Sequence, residues 1–292
     1  MNIHKYPPPG KLVDVGGYRL HILCQGQGSP TVVMDSAFGG FASDWSLVQP
    51  EIAKFTGVCA YDRSGYAWSE PNPKETVRTS RQLVHELHTL LEKESISGPY
   101  VLVGHSFGGL NVRVFADQYP DEVVGMVLLD PAHEDAEARL NVSNESIVSR
   151  LNFQANLLRI GVVRKWLAPR MMVSMIPEYK NLPPEVWAME VAVSLNSENL
   201  RTAAREAASA TESMAQVRAT HGLGDIPLIV MTSMAIPSSW MGLAKEMAGL
   251  STQGRHVVVE GTGHYIQLGR PDAVIDAVRQ VVEAARCRQQ TS

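Results

Sequence analysis

Six short apolar runs recur along the chain, each four to seven residues long and none alternating with polar positions: Thr31–Met34, Val58–Tyr61, Tyr100–Val103, Val123–Leu129, Pro227–Met231 and His256–Val259. A strand with one solvated face alternates; a run without alternation is a strand buried on both faces. Helical segments lie between the runs. Thr79–Glu94 sets Leu83, Leu87, Leu90 and Leu91 on one face, and Pro271–Arg286 does the same with Val274, Ile275, Val278, Val281 and Val282. Strand, helix, strand repeats predict an α/β architecture, a mostly parallel central sheet with helices on both faces. Ahead of it, Lys11–Val15 and Tyr18–Cys24 read as a hairpin closed by Gly16-Gly17, a pair that tolerates the positive φ angles of a tight turn. A proline-rich lead-in, Lys5–Gly10, precedes the hairpin, with His4 before it.

The rhythm breaks between Glu134 and His221, where Ala, Met, Leu and Arg fall at helical spacing and no strand is readable. Residues 134–221 are therefore expected to form a helical cap inserted into a core made of 1–133 and 222–292. A chain of 292 residues is long enough for one core carrying such an insertion. Its 45% hydrophobic and 19% charged residues and net charge of −4 are those of a soluble globular protein. No extended basic tract points to nucleic acid. The most apolar long stretch is broken by Arg159, Arg164, Lys165, Pro169 and Arg170, so stable membrane insertion is not expected. No secretory leader is apparent in the first thirty residues. Cys24, Cys59 and Cys287 are odd in number and far apart, and two lie in strand-like runs. They read as buried thiols, which suits a reducing cytoplasm. The oligomeric state is left open.

The stretch Tyr100-Val-Leu-Val-Gly-His-Ser-Phe-Gly-Gly109 puts a serine at the tip of a buried strand, between Gly104 and Gly108 and ahead of helix-compatible residues. This is a G-x-S-x-G nucleophile elbow in its expected context. Side chains at the flanking positions would collide in so sharp a turn, and the turn lifts the Ser106 hydroxyl above the sheet edge. It also leaves the Phe107 amide at a helix N-terminus, aimed where an oxyanion forms. A serine hydroxyl needs a base, and a histidine beyond the last strand is the companion to seek. Gly261-Thr-Gly-His264 supplies it directly after the final apolar run. His133 and His221 flank the insertion near the pocket, but neither follows that strand; His105, inside the elbow, should point away from the exposed face of the nucleophile.

In this order of pieces the chain resembles the α/β-hydrolase superfamily, in the form of a serine-nucleophile member with a cap. Val33-Met-Asp-Ser-Ala-Phe-Gly-Gly40 with Trp45 is similar to the family's oxyanion loop, and Tyr61-Asp-Arg-Ser-Gly-Tyr-Ala-Trp-Ser69 to the loop after its next strand. By that match the Phe38 amide is the second oxyanion donor, with Ser36-Ala37 standing where the family has His-Gly. The resemblance also implies a carboxylate to orient the histidine, most often just after the strand that follows the cap. Here that place reads Thr232-Ser-Met-Ala-Ile-Pro-Ser-Ser-Trp240, without an acid. Relatives that carry the acid one strand earlier point instead to Asp130, with Glu134 and Asp135 as rivals. Asp62 reads as an ion-pair partner of its neighbour Arg63, and Asp35 receives no role.

The resemblance implies hydrolysis of a carboxylic ester or lactone through an acyl-enzyme on Ser106. A carboxylate at the elbow, as in haloalkane and epoxide hydrolysis, is absent. Carbon–carbon hydrolysis or cofactor-free perhydrolysis by the same triad, and a non-catalytic ligand-binding role, stand as alternatives. No H-E-x-x-H or paired-cysteine spacing predicts a metal, and no phosphate-cradling loop predicts a nucleotide, so no cofactor is expected. Trp166, Met171, Met175 and Trp187 of the insertion are expected to present apolar surface to a small apolar substrate.

Overall fold

The computed structural model describes residues 6–75, 77–140, 143–235 and 237–290. His4 and Lys5 of the lead-in lie outside the described residues. The chain forms β1 (Lys11–Asp14), β2 (Arg19–Gln25), β3 (Thr31–Asp35), β4 (Val58–Tyr61), β5 (Tyr100–His105), β6 (Val123–Leu129), β7 (Leu228–Ser233) and β8 (Gly254–Val259). They make one sheet in the order β1-β2-β4-β3-β5-β6-β7-β8, in which the β1–β2 and β2–β4 pairs are antiparallel and the other pairs parallel.

The absence of alternation in the apolar runs has a direct cause. Val33 and Leu102 face a cluster shared with the helices Ser80–Lys93, Gly108–Gln118 and Ser238–Ala248. Their neighbours Val32, Met34, Val101 and Val103 face the opposite cluster, which holds Trp45, Ile52 and the apolar stripe of Pro271–Gln289. Both faces of these inner strands are thus covered, and their positions call for apolar side chains. Between β6 and β7 the described residues form helices and no strand, from Ala136–Leu140 through Asn144–Leu157, Ala168–Met175, Pro184–Ser194 and Ser197–Ala208 to Ala210–Arg218. The last of these buries Met214 and Val217 in the same cluster as Ser80–Lys93, so it packs on the sheet layer itself. Among the described residues no helix is long and apolar enough to cross a membrane.

One expectation is overturned here. Cys24 and Cys59 are not thiols: they face each other across the antiparallel β2–β4 pair and form a disulfide. Cys287 is exposed on the final helix. The expectation of a cytoplasmic protein rested on unpaired cysteines and loses that support. Denatured protein is expected to take one alkyl group without reductant and three after reduction. Closing a loop of 35 residues stabilises by roughly 3–4 kcal/mol, so reduction should lower the melting temperature by about 5–10 °C. Three alkyl groups on unreduced protein would refute the pairing.

Candidate active site

All the parallel strands point the same way, so the segments after β3, β5, β6, β7 and β8 meet at one sheet edge, where α/β folds gather their functional groups. Ser106 leaves β5 with φ +52°, a left-handed conformation held by the Ser106 N–H to Leu129 carbonyl bond at 3.0 Å and by its own carbonyl accepting from Gly109 and Ala132. A Cβ on Gly104 would stand 2.7 Å from the Gly108 carbonyl oxygen, and one on Gly108 would stand 2.3 Å from that of Asp35. The glycines are therefore a steric condition of the turn. Phe107 is the N-cap of the helix Gly108–Gln118. Among the described residues neither its N–H nor that of Phe38 is engaged in a hydrogen bond, and the two rings stack 4.2 Å apart.

His264 follows β8 with its side chain 46% exposed, and its Nδ1 faces Asp130 Oδ2 at 3.4 Å. Asp130 also adopts a positive φ, +36°. Its Oδ1 accepts the Ser233 N–H at 2.8 Å, while its buried Oδ2 has no other partner among the described residues. The segment after β7 lacks an acid of its own, yet the amide of Ser233, the last residue of β7, anchors the acid that follows β6. Ser106, Asp130, His264 and Phe38 line one cavity of about 310 Å³, with Thr232, Trp240 and Met247 among its other walls.

The rival carboxylates are occupied elsewhere. Glu134 is half-buried, and although burial would raise its pKa, two bonds from Arg113 at 2.6 and 2.8 Å hold it at about 2. Asp135 pairs with Arg218 at 2.8 Å. Neither lines the cavity. Nor do His133 and His221, which sequence placed near the pocket: His133 Nδ1 accepts the Asp135 N–H, and His221 pairs with Asp117. His105 is buried, and burial holds its pKa well below the usual histidine range. Its Nδ1 accepts from Gln267 and its Nε2 donates to the His264 carbonyl at 2.9 Å, so the elbow grips the backbone of the histidine loop.

The expected Asp62–Arg63 pair does not form. Asp62 Oδ2 lies 2.8 Å from His21 Nδ1, and its Oδ1 accepts the Ala42 N–H. Arg63 turns the other way, toward the oxyanion loop. Its Nη1 donates to Asp35 and to the Ser36 carbonyl (2.7 Å), its Nη2 to the Ala37 carbonyl (2.6 Å) and to Glu206 (3.0 Å), and its Nε to Glu206 (2.9 Å). Asp35, unassigned from sequence, thus helps anchor the loop, with Tyr61 and Asn111 donating to its other oxygen. Glu206 comes from the helical insertion and is fully buried. The insertion reaches the other loops too: Glu178 accepts the Gly263 N–H at 2.5 Å, beside His264, and Asn199 donates to the Gly39 carbonyl. Sequence spacing carries no signal for these contacts, since Arg63 and Glu206 are 143 positions apart.

Of the four apolar residues expected at the substrate, Met171 and Met175 line a second cavity of about 260 Å³, which shares Phe38 with the first. Trp166 and Trp187 line neither. Trp166 projects into solvent because its turn is exposed, and Trp187 packs on Tyr179 inside the insertion. Among the described residues no group of three His, Cys, Asp or Glu could hold a metal ion.

A serine on a strand-to-helix elbow, with an imidazole and a carboxylate at the same sheet edge, defines an α/β protein with its site above the strand termini. The chain belongs to the alpha/beta hydrolase family, whose profile matches residues 32–277. The uncharacterised protein YqjL of Bacillus subtilis (strain 168) is 25% identical over 271 residues, covering 91% of this chain and 88% of YqjL. Among solved structures, the Cif epoxide hydrolase from Acinetobacter nosocomialis is similar with a TM-score of 0.76 at 18% identity, over 97% of this chain and 92% of that one. A thermophilic esterase from Thermogutta terrifontis is similar with a TM-score of 0.70 at 21% identity, over 94% and 98%. Proteins with two different activities share this fold, so the reaction has to be argued from the site.

Proposed function

We propose that the chain is a serine hydrolase that cleaves a carboxylic ester or lactone through an acyl-enzyme on Ser106. The observation that carries this reading is the buried Asp130 Oδ2, partnerless except for His264 Nδ1 at 3.4 Å, on the wall of a cavity that Ser106 also lines. A carboxylate in that position accepts the Nδ1–H and leaves Nε2 free to take the serine proton. Ser106 Oγ then attacks the carbonyl carbon, and the oxyanion meets the Phe107 and Phe38 amides, neither of which is committed to another acceptor among the described residues. His264 passes its proton to the leaving alcohol, and water activated by the same imidazole hydrolyses the acyl-enzyme. Serine at the elbow, in place of a carboxylate, favours acyl transfer over epoxide opening. The apolar walls of the cavity, Phe38, Trp240 and Met247 among them, suit a small apolar acyl or alcohol group.

The test is covalent labelling. A fluorophosphonate should modify one residue, Ser106, with p-nitrophenyl ester turnover lost in step, and Ser106→Ala should abolish both. Protein that is folded yet neither labelled nor active would sink the proposal.

A further inference from the structure

From Ser146 to Pro177 the chain carries five basic residues, Arg150, Arg159, Arg164, Lys165 and Arg170, and no Asp or Glu, within a protein whose net charge is −4. All five are exposed, and none has a carboxylate within ion-pair distance among the described residues. Elsewhere, exposed arginines such as Arg19, Arg139, Arg218 and Arg270 are paired with acids. The same segment exposes Ile160, Val162 (71%), Trp166 (58%), Leu167, Met171 and Met175 (60%) within sixteen residues. Single exposed apolar side chains are ordinary; six within sixteen residues, interleaved with cations that have no carboxylate partner among the described residues, are not. Lys165 Nζ sits 5.3 Å from the Trp166 ring centre, so cation and indole occupy one level of the surface.

We infer that this face docks on a membrane surface carrying anionic lipid headgroups, with the apolar side chains entering the headgroup–acyl boundary and the arginine and lysine heads reaching up to phosphates. Aromatic and aliphatic residues flanked by Lys and Arg are the composition of interfacial anchoring, and long basic side chains reach a polar layer while their stems stay apolar. The charge pattern selects against the other occupants. A second copy related by a two-fold axis would bring cations against cations with no acid on either side. Nucleic acid would leave the apolar side chains without an apolar partner. Met171 and Met175 belong both to this exposed face and to the walls of the 260 Å³ cavity, whose inner end reaches Phe38. The cavity therefore opens toward the docked surface, where it would accept an alkyl chain drawn from the bilayer. The docking itself is independent of any chemistry at Ser106.

The experiment is sedimentation of the full chain with vesicles of phosphatidylcholine alone or mixed with phosphatidylserine, read together with tryptophan emission. Wild-type protein should pellet with the anionic vesicles only, in a salt-sensitive manner, and its emission should shift to the blue, a shift that Trp166→Phe removes. Arg164→Glu/Lys165→Glu should weaken binding about thirtyfold or more, at roughly fivefold for each cation removed near the surface, while turnover of a water-soluble short ester is retained. Wild-type protein left in the supernatant with both vesicle types would overturn the inference. So would equal binding by the double variant, or a concentration-dependent dimer that Trp166→Ala abolishes in the absence of vesicle binding. Loss of ester turnover in Ser106→Ala with vesicle binding intact separates this inference from the hydrolase reading.

Discussion

Asp130→Asn is expected to lower kcat about 10⁴-fold while leaving the fold intact, the size of effect that follows when a catalytic histidine is held in the wrong tautomer. The asparagine oxygen can keep the Ser233 N–H, as Oδ1 does now. Its amide nitrogen then replaces Oδ2 opposite His264 Nδ1, where it donates instead of accepting. The imidazole proton is driven to Nε2, the nitrogen that has to accept from Ser106. Two controls give the result its meaning. Glu134→Gln removes the charge paired with Arg113, so it should cost stability but keep turnover within a few-fold. Asp135→Asn breaks an exposed pair with Arg218, worth about 0–1 kcal/mol, and should be nearly silent. Turnover of a p-nitrophenyl ester, with near-UV circular dichroism to report the fold, decides the matter. If Asp130→Asn stays active while either control fails in folded form, the acid has been misassigned.

The inner strands of the sheet were legible because they are covered on both faces, which writes an apolar run into each of them; Val58–Tyr61 and Val123–Leu129 coincide with the observed strands to the residue. The elbow was legible because steric exclusion at Gly104 and Gly108 leaves a local signature. What was not legible depends on pairing between distant segments. The Cys24–Cys59 disulfide needs the β2–β4 register, and that edge is joined antiparallel through strands that are not consecutive in the chain. Asp62 and Arg63 are adjacent in sequence, yet neighbouring side chains diverge; one finds His21 and the other Asp35 and Glu206. The apolar residues of the insertion follow the same rule. Helical spacing marks a face as apolar but not what covers it, so Trp187 packs inward and Trp166 faces solvent.

Arg63→Lys is expected to lower kcat about 10²-fold with KM nearly unchanged, the loss that accompanies removal of one oxyanion donor. A guanidinium has five N–H groups, and here all five are used: two on Glu206, one on Asp35, and one each on the Ser36 and Ala37 carbonyls. Those carbonyls immediately precede Phe38, so the guanidinium fixes the chain that presents the Phe38 amide. An ammonium keeps the charge opposite Asp35 and Glu206 but has three N–H groups and no planar fork, so it cannot hold both carboxylates and both carbonyls. The loop is then free to shift, and the donor moves from where the oxyanion forms. Buried acceptors left unpaired should also cost at least about 2 kcal/mol of stability. The two consequences are separable. Assayed well below its melting temperature, the variant should bind substrate normally, turn it over slowly and react slowly with the fluorophosphonate. Glu206→Gln, which removes the insertion's charge but leaves Arg63 in place, should show the same loss in weaker form. If Arg63→Lys melts early yet turns over at the wild-type rate while folded, Arg63 braces the structure without positioning the oxyanion loop, and the coupling from the insertion through Glu206 to Phe38 is refuted.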